Sequence, residues 1–324
     1  MNSTTDAEEF DAFENDFIYS FLAYLLFVIK TIVAIWICCN NSVILYIVAK
    51  HQHLRSYSNA LVANLLLTDN VVAVYCIIFV LYYVTSPHSQ QEQRFLCLAL
   101  NFFGLTGLCL SGTSLASADI ERYLKICHPF LYERIMSWRT VVTLIIVPYG
   151  VTFILVILFL SDNHFHYKVQ CGLAYNMKYE HLVLLNIVSA LLITFVIILT
   201  CRMLIVIRRH ENAIQHQHQG NGDHTKEHNR SKTIGKMTLF IFVSYWPFGI
   251  VALILAIHKD IQSSFFAKLA YSFVVGFCLL NNVMNSVVFG WRDREVRNIL
   301  RRMFLRRKII RVVHVDNQSV NLHI

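Results

Sequence analysis

Long apolar stretches alternate with short polar segments along the chain. A transmembrane helix needs about 20 mostly apolar residues, and seven stretches reach that length with few internal charges. The pattern therefore predicts seven membrane-spanning helices, at Phe17–Val48, Ala60–Val84, Phe95–Ile126, Val141–Leu160, Leu182–Ile207, Met237–His258 and Phe265–Phe289.

The composition agrees with a membrane protein. Hydrophobic residues make up 56% of the 324 residues and charged residues only 15%, whereas about a quarter of an ordinary soluble domain is charged. A channel or transporter stays open as an alternative, although no internal repeat typical of an inverted-repeat transporter is visible. No arrangement typical of an enzyme is present, so we expect no catalytic activity.

The distribution of charge predicts the orientation in the membrane. Most of the 28 lysine and arginine residues fall in connectors on one side, and the first sixteen residues carry acidic residues but no Lys or Arg. Because cytoplasmic loops are the basic ones, the N-terminus is expected outside a multi-pass plasma-membrane protein. The net charge of +8 comes from residues flanking apolar spans, so nucleic acid is not an expected partner.

Three regions follow from this topology. They are an acidic extracellular segment (1–16), a seven-transmembrane domain (17–290) with a flexible third inner loop (about 208–236), and a cytoplasmic amphipathic helix and tail (291–324). Val296, Ile299, Leu300, Met303 and Phe304 form one helical stripe among arginines, which predicts contact with lipid of the inner leaflet. Asn2 begins a glycosylation sequon in the outer segment.

Of the nine cysteines, only Cys97 and Cys171 are expected outside. Cys97 opens the third span and Cys171 precedes the fifth. The exterior is oxidising, which predicts a disulfide that ties an outer loop over the mouth of the bundle. Two free thiols are the alternative.

Short motifs in five spans resemble those of rhodopsin-like (class A) G-protein-coupled receptors. They are Asn41–Ile44, Leu65–Asp69, Glu121–Tyr123, Ser244–Pro247 and Asn285–Phe289. The resemblance implies an all-α, seven-transmembrane helix bundle that transmits a signal to a heterotrimeric G protein. Ser286, Phe289 and Tyr245 depart from the residues usual in the family, which puts the basal activity in doubt.

Two further segments are similar to vertebrate, fish-type odorant receptors. They are Ile126–Tyr132 in the second inner loop and Phe289–Arg297 at the start of the C-terminal helix. This similarity implies a chemosensory receptor acting in olfaction and sensory transduction. The alternative within the class is a non-olfactory receptor for a lipid or a peptide, and the acidic N-terminus suits a basic peptide.

The class A resemblance also implies an activation switch around Arg122, held at rest by a neighbouring acid. The alternative is an arginine that simply extends to the lipid headgroups. The residues expected to form the switch and contact the G protein are Asp119, Glu121, Arg122, Tyr123, Tyr245, Pro247, Asn285 and Phe289.

Near the middle of the bilayer, Asp69 needs polar partners or a proton. The resemblance implies a sodium site formed by Asp69, Ser111, Asn281, Asn282 and Asn285. A hydrogen-bonded network without an ion is the alternative. No other metal and no other cofactor is expected.

The ligand pocket is expected in the outer half of the bundle. Gly104 stands where amine receptors carry an aspartate, and Leu279 where opsins carry the lysine for retinal. The candidate lining residues are Phe103, Gly104, Gly107, Leu108, Tyr245, Phe248, Gly249, Tyr271 and Val275. This set predicts a small, largely apolar ligand with one hydrogen-bonding group. Lys30, in the first span, either extends to lipid headgroups or a polar neighbour, or meets an anionic ligand.

Overall fold

A computed structural model describes residues 3–85, 90–161, 171, 177–217, 246–255, 257–258, 261, 264–292 and 295–303. Within these ranges the chain is almost entirely α-helical and contains no β-strand. The helices are α1 (Ser3–Lys50), α2 (Tyr57–Thr85), α3 (Gln90–Cys127), α4 (Pro129–Ile135), α5 (Trp138–Ser161), α6 (Tyr179–Gln217), α7 (Trp246–Leu255), α8 (Phe265–Arg292) and α9 (residues 295–303).

Six of these helices are long and apolar enough to cross a membrane, namely α1, α2, α3, α5, α6 and α8. The shorter apolar helix α7 is the described part of the predicted sixth span, Met237–His258. The seven-helix fold class is therefore confirmed. Two boundaries differ strongly. Helix α1 begins at Ser3 rather than at Phe17, because the acidic stretch before Phe17 contains no glycine or proline that would end a helix. Helix α6 continues to Gln217, ten residues past the predicted end at Ile207, so the first part of the loop predicted to be flexible is helical.

Helix α3 lies at the centre of the bundle. It contacts α2, α5 and α6 along its length and α4 at its C-terminal end, while α1 packs between α2 and α8. A buried cluster that includes Leu182, Ala252 and Ala267 joins α6, α7 and α8. Large apolar side chains such as Ile146, Ile154 and Leu191 point outward, as expected where lipid rather than water is the solvent.

A chain of polar side chains joins α2, α3 and α5 inside the bundle. The Tyr149 hydroxyl donates to Asn64 Oδ1 at 3.0 Å, and Asn64 Nδ2 donates to Ser114 Oγ at 2.8 Å. Ser117 Oγ donates to the carbonyl of Leu144 at 3.1 Å. Because no water solvates these groups in an apolar core, the bonds fix which faces of the three helices meet.

Helix α9 packs on the C-terminal end of α1 and the N-terminal part of α2. Val296 is fully buried against a cluster that includes Ile47 and Leu66, and Ile299 and Leu300 pack beside it. Part of the predicted apolar stripe therefore contacts protein rather than lipid. Met303 is exposed, and Phe304 lies outside the described residues.

Candidate functional site

The Cys97–Cys171 disulfide is present, with 5.6 Å between the two Cα atoms. Both cysteines are buried, together with Leu100, against the partly buried rings of Tyr75 and Phe79 on α2. The predicted pairing is confirmed. It holds residue 171 against the C-terminal half of α2 and the N-terminal part of α3.

An apolar cavity of about 620 Å³ lies between α3, α5, α6 and α7 and extends to Tyr271 on α8. Its few polar wall residues include Thr152 and Asn186. This volume falls in the range of about 300–1,000 Å³ typical of small-molecule pockets. The walls favour an apolar group that carries a single hydrogen-bonding atom.

A second cavity, of about 60 Å³, lies between α2, α3, α7 and α8. It shares Leu108, Phe248 and Tyr271 with the larger cavity and reaches Ser111 and Asn282 further along the helices. Since a water molecule occupies about 30 Å³, it has room for about two waters. The smaller cavity thus connects the larger cavity with the polar centre of the bundle.

Most of the predicted ligand residues come together at these cavities. Gly104, Leu108, Phe248, Tyr271 and Val275 line the smaller one, and Leu108, Phe248, Gly249 and Tyr271 line the larger.

Two predicted ligand residues lie elsewhere. Gly107 packs against Val72 of α2, where an added Cβ would approach to 3.0 Å. Phe103 is 45% exposed and contacts the ring of Phe102. Neither lines the two cavities, and Tyr245 lies outside the described residues.

Two glycines lie very close to side chains of neighbouring helices. A Cβ atom at Gly104 would lie 2.9 Å from Cε2 of Tyr75, so the ring fills the space where an aspartate would stand. A Cβ atom at Gly249 would lie 2.6 Å from Oδ1 of Asn186. Both contacts are shorter than van der Waals packing permits, so these glycines shape the pocket.

The α5 and α6 walls of the larger cavity are absent from the predicted set. Thr152, Val156 and Asn186 line it, and Asn186 Nδ2 donates to the carbonyl of Leu182 at 2.8 Å. A lone asparagine in the apolar fifth span was the available signal, because an amide in such a span needs a specific partner.

At the centre of the bundle, the carboxylate of Asp69 is fully buried. Ser111 Oγ donates to Oδ1 at 2.7 Å, and Asn285 Nδ2 donates to Oδ2 at 3.0 Å. Asn281 and Asn282 are buried nearby on α8. The predicted polar set thus includes a direct link between α2, α3 and α8.

The same residues fit a small hard cation. A carboxylate, a hydroxyl and amide carbonyls are oxygen ligands of the kind such ions prefer. Asn282 Oδ1 is buried and has no hydrogen-bond partner among the described residues. A carboxylate also keeps acceptor capacity beyond its two hydrogen bonds, so Asp69 could bind an ion as well. A sodium ion at this place stays a prediction.

Near the C-terminal end of α3, Arg122 Nη1 lies 3.0 Å from Asp119 Oδ1. Glu121 is turned away and accepts hydrogen bonds from Ser58 and Tyr132. The Tyr123 hydroxyl lies 3.2 Å from His128 Nε2. Arg122 therefore pairs with one of its two neighbouring acids in this structure.

The other switch residues are spread over α7 and α8. Pro247 is half-buried near the described start of α7. Asn285 belongs to the Asp69 network, and Phe289 lies in α8, although its side chain is outside the described part. Asn2 also falls outside the described residues.

Lys30 turns into the bundle rather than toward lipid. Its Nζ donates to Ser272 Oγ on α8 at 2.6 Å, and its Cγ atom lies beside Gly276. Among the described residues, no carboxylate lies within ion-pair distance of it.

Comparison with known proteins gives a match over most of the chain. The model of the family described as 7 transmembrane receptor (rhodopsin family) matches residues 40–289. Curated proteins match over shorter segments. Prokineticin receptor 1 of Rattus norvegicus is 31% identical over 141 residues, which cover 43% of this chain and 35% of that receptor.

Two other similar proteins are prokineticin receptor 2 of Bos taurus and of Homo sapiens. The first is 30% identical over 166 residues, which cover 47% of this chain and 42% of that receptor. The second is 33% identical over 119 residues, which cover 36% of this chain and 30% of that receptor. The alignments thus span less than half the length of the curated relatives.

Proposed function

Because the chain belongs to the rhodopsin family of seven-transmembrane receptors, we propose that it is a non-olfactory receptor for a polypeptide agonist. When the agonist binds, the receptor activates a heterotrimeric G protein. The observation that carries the choice of ligand class is the similarity to prokineticin receptors. Membership in a receptor family agrees with the expectation that the chain is not an enzyme, and it replaces the channel or transporter alternative.

The similar proteins are named as receptors for prokineticin, not for odorants. The odorant-like interpretation depends on two short segments, Ile126–Tyr132 and Phe289–Arg297, whereas the relatives align over more than a hundred residues. The comparisons therefore favour the non-olfactory alternative over the chemosensory one. A small apolar ligand keeps the support of the 620 Å³ cavity, so it is the second candidate.

The proposed agonist is a basic polypeptide with an apolar anchor residue. Residues 1–16 are rich in acid and contain no Lys or Arg, so on the outer face they would attract a cationic ligand through long-range electrostatics. The apolar cavity would take one large apolar side chain, and Asn186 would supply a hydrogen-bond acceptor. The charge attraction would raise the association rate, and the buried apolar side chain of the ligand would provide most of the affinity.

The proposed G-protein contact lies at the inner end of the bundle. Arg122 sits there beside α4, whose Phe130 is 89% exposed with Leu131 also exposed. An exposed aromatic side chain next to a charged one is typical of a protein interface. The Arg208–Lys236 region, largely outside the described residues, would contribute basic groups.

The remaining assignments complete the proposal. The N-terminus faces outward with a glycan on Asn2, and the basic C-terminal segment contacts anionic lipid on the cytoplasmic side of the plasma membrane. A sodium ion would be held by Asp69 with Ser111 and the α8 asparagines, where it would neutralise the buried carboxylate.

The test is a signalling assay in cells that express the chain. The probes are prokineticins, unrelated basic peptides, a panel of volatile and water-borne odorants, and lipids, with calcium and cyclic AMP as readouts. We expect a response to a basic polypeptide that is lost in Arg122→Ala at equal surface expression. A response to small odorants alone would favour the chemosensory candidate, and ion current without a G protein would contradict both.

A further inference from the structure

Two carboxylates flank Arg122 at the inner end of α3, and they have different partners. Arg122 Nη1 is 3.0 Å from Asp119 Oδ1. Glu121 Oε1 instead accepts from Ser58 Oγ of α2 at 2.6 Å and from the Tyr132 hydroxyl of α4 at 2.9 Å. Residues three apart on a helix share a face and adjacent residues do not, so this division follows from the spacing.

We propose that Asp119, not Glu121, is the positioning residue that holds Arg122 in the resting receptor, and that Glu121 positions the loop helix α4. The inference deepens the proposed function and rests on it, since it takes Arg122 as the residue that meets the G protein.

The environment of the Asp119–Arg122 pair gives it enough strength for this role. The side chain of Asp119 is 8% exposed and that of Arg122 25% exposed, so water screens the pair less than a surface ion pair. The Arg122 side chain is mostly buried, and a buried guanidinium without an acceptor is costly. Release of Arg122 from Asp119 therefore requires a new acceptor, which a docking G protein would provide.

Glu121 does not hold Arg122 because hydroxyl groups of two other elements fix the position of its carboxylate. Its side chain is almost fully buried, and both hydroxyl groups donate to the same oxygen, Oε1. Partial burial and the nearby carboxylate raise the pKa of Tyr132 above its usual value, so its hydroxyl stays a donor at physiological pH. The bonds fix α4, and with it the exposed ring of Phe130, against α2 and α3.

The two acids therefore control different properties. Loss of the Asp119 carboxylate frees Arg122 and raises basal G-protein activation. Loss of the Glu121 carboxylate disturbs α4 and weakens productive coupling without freeing Arg122.

The experiment is a pair of double-mutant cycles on purified full-length receptor in lipid nanodiscs, without agonist. The variants are Asp119→Asn, Glu121→Gln, Arg122→Gln and the two double variants with Arg122→Gln. Two quantities are measured for each: the rate of nucleotide exchange on purified G proteins and the midpoint of thermal unfolding.

We expect Asp119→Asn to raise basal exchange roughly ten- to hundredfold, the effect of losing one charge-assisted hydrogen bond. Glu121→Gln should not raise it. Asp119→Glu keeps a carboxylate on the same face and should restore the low basal rate. The midpoint shifts of positions 119 and 122 should be non-additive, and those of 121 and 122 additive.

Basal exchange raised by Glu121→Gln and not by Asp119→Asn would overturn the inference, as would additive midpoint shifts at 119 and 122. If neither wild type nor any variant activates a G protein, the proposed function fails, but the midpoint cycle still decides which acid pairs with Arg122. If Asp119→Asn is not recovered in folded form, Asp119→Ser takes its place in the same cycle.

Discussion

Substitution of Asp69 by asparagine tests the polar centre of the bundle most sharply. The carboxylate accepts one hydrogen bond on each oxygen, from Ser111 at 2.7 Å and from Asn285 at 3.0 Å. An amide offers one acceptor oxygen and one NH₂ group, so only one of the two donors keeps its acceptor. If the amide oxygen accepts from Asn285, the NH₂ group can donate to the Ser111 hydroxyl oxygen, but the Ser111 O–H then loses its acceptor.

The magnitude follows from the buried group that loses its partner. An unsatisfied buried donor costs about 1–3 kcal/mol. At roughly 2–4 °C for each kcal/mol in a large domain, Asp69→Asn should lower the unfolding midpoint of purified receptor by about 2–12 °C. Ser111→Ala is the matched variant: it removes one donor and leaves the hydrogen bond from Asn285 to Asp69 in place. It should lower the unfolding midpoint by less than Asp69→Asn.

The same preparation tests the predicted ion. If sodium binds the folded receptor at ten times its dissociation constant, it adds about 1.4 kcal/mol. Wild type should therefore unfold at a higher temperature in sodium chloride than in an equal concentration of N-methyl-D-glucamine chloride, and Asp69→Asn should lose that difference. A variant as stable as wild type that still responds to sodium would refute both the network and the ion assignment.

Four further outcomes are expected. Cys97→Ser should lower the free energy of unfolding by about 2–5 kcal/mol and sharply reduce surface expression measured by flow cytometry. Expression equal to that of Cys39→Ser, which changes an exposed free thiol, would contradict a structural disulfide. Tyr149→Phe removes the hydrogen bond to α2 and should lower the unfolding midpoint by about 2–4 °C, at a cost near 1 kcal/mol; an unchanged midpoint would argue against the bond. Lys30→Met should raise the unfolding midpoint, because the ammonium has only a hydroxyl partner among the described residues and its burial is costly. A large fall in the midpoint would indicate an anionic partner instead. Phe130→Ala should reduce agonist-driven G-protein activation by about tenfold, the effect of a typical apolar interface anchor, at unchanged surface expression, and full activation would remove α4 from the interface.

Much of the fold could be predicted because the bilayer leaves a strong pattern in the sequence. An apolar run of about 20 residues marks each span, and the one outward pair of cysteines identifies Cys97 and Cys171. Helix boundaries were less predictable. The acidic residues before Phe17 suggest a separate segment, but α1 starts at Ser3 because no glycine or proline interrupts the helix there. The apolar stripe of α9 was visible, but not that Val296 packs on α1 and α2.

The candidate site was predictable where several polar residues converge. Asp69 and Asn285 belong to motifs of the second and seventh spans, Ser111 is a polar residue of the third span, and the structure joins the three. The α5 and α6 walls of the pocket were missed because their residues, apart from Thr152 and Asn186, resemble lipid-facing ones. Helix rotation decides which apolar residues face the cavity, and no motif records that rotation.

The inner end of α3 shows a further limit. The order Asp119, Glu121, Arg122 places one acid on the same helical face as the arginine, which the spacing predicts. The partners of Glu121 come from Ser58 and Tyr132, which lie on other elements. Only the packing of α2 and α4 against α3 brings them within reach.

The central claim, that this chain activates a G protein in response to an extracellular polypeptide, is tested most directly by nucleotide exchange on purified G proteins. The receptor is reconstituted in nanodiscs and titrated with prokineticins and other basic peptides, with Arg122→Ala as the matched control. The account predicts a peptide-dependent rise in exchange that saturates and that Arg122→Ala abolishes. Folded receptor that binds such a peptide without raising exchange on any G-protein class, or a rise that survives Arg122→Ala undiminished, would contradict it.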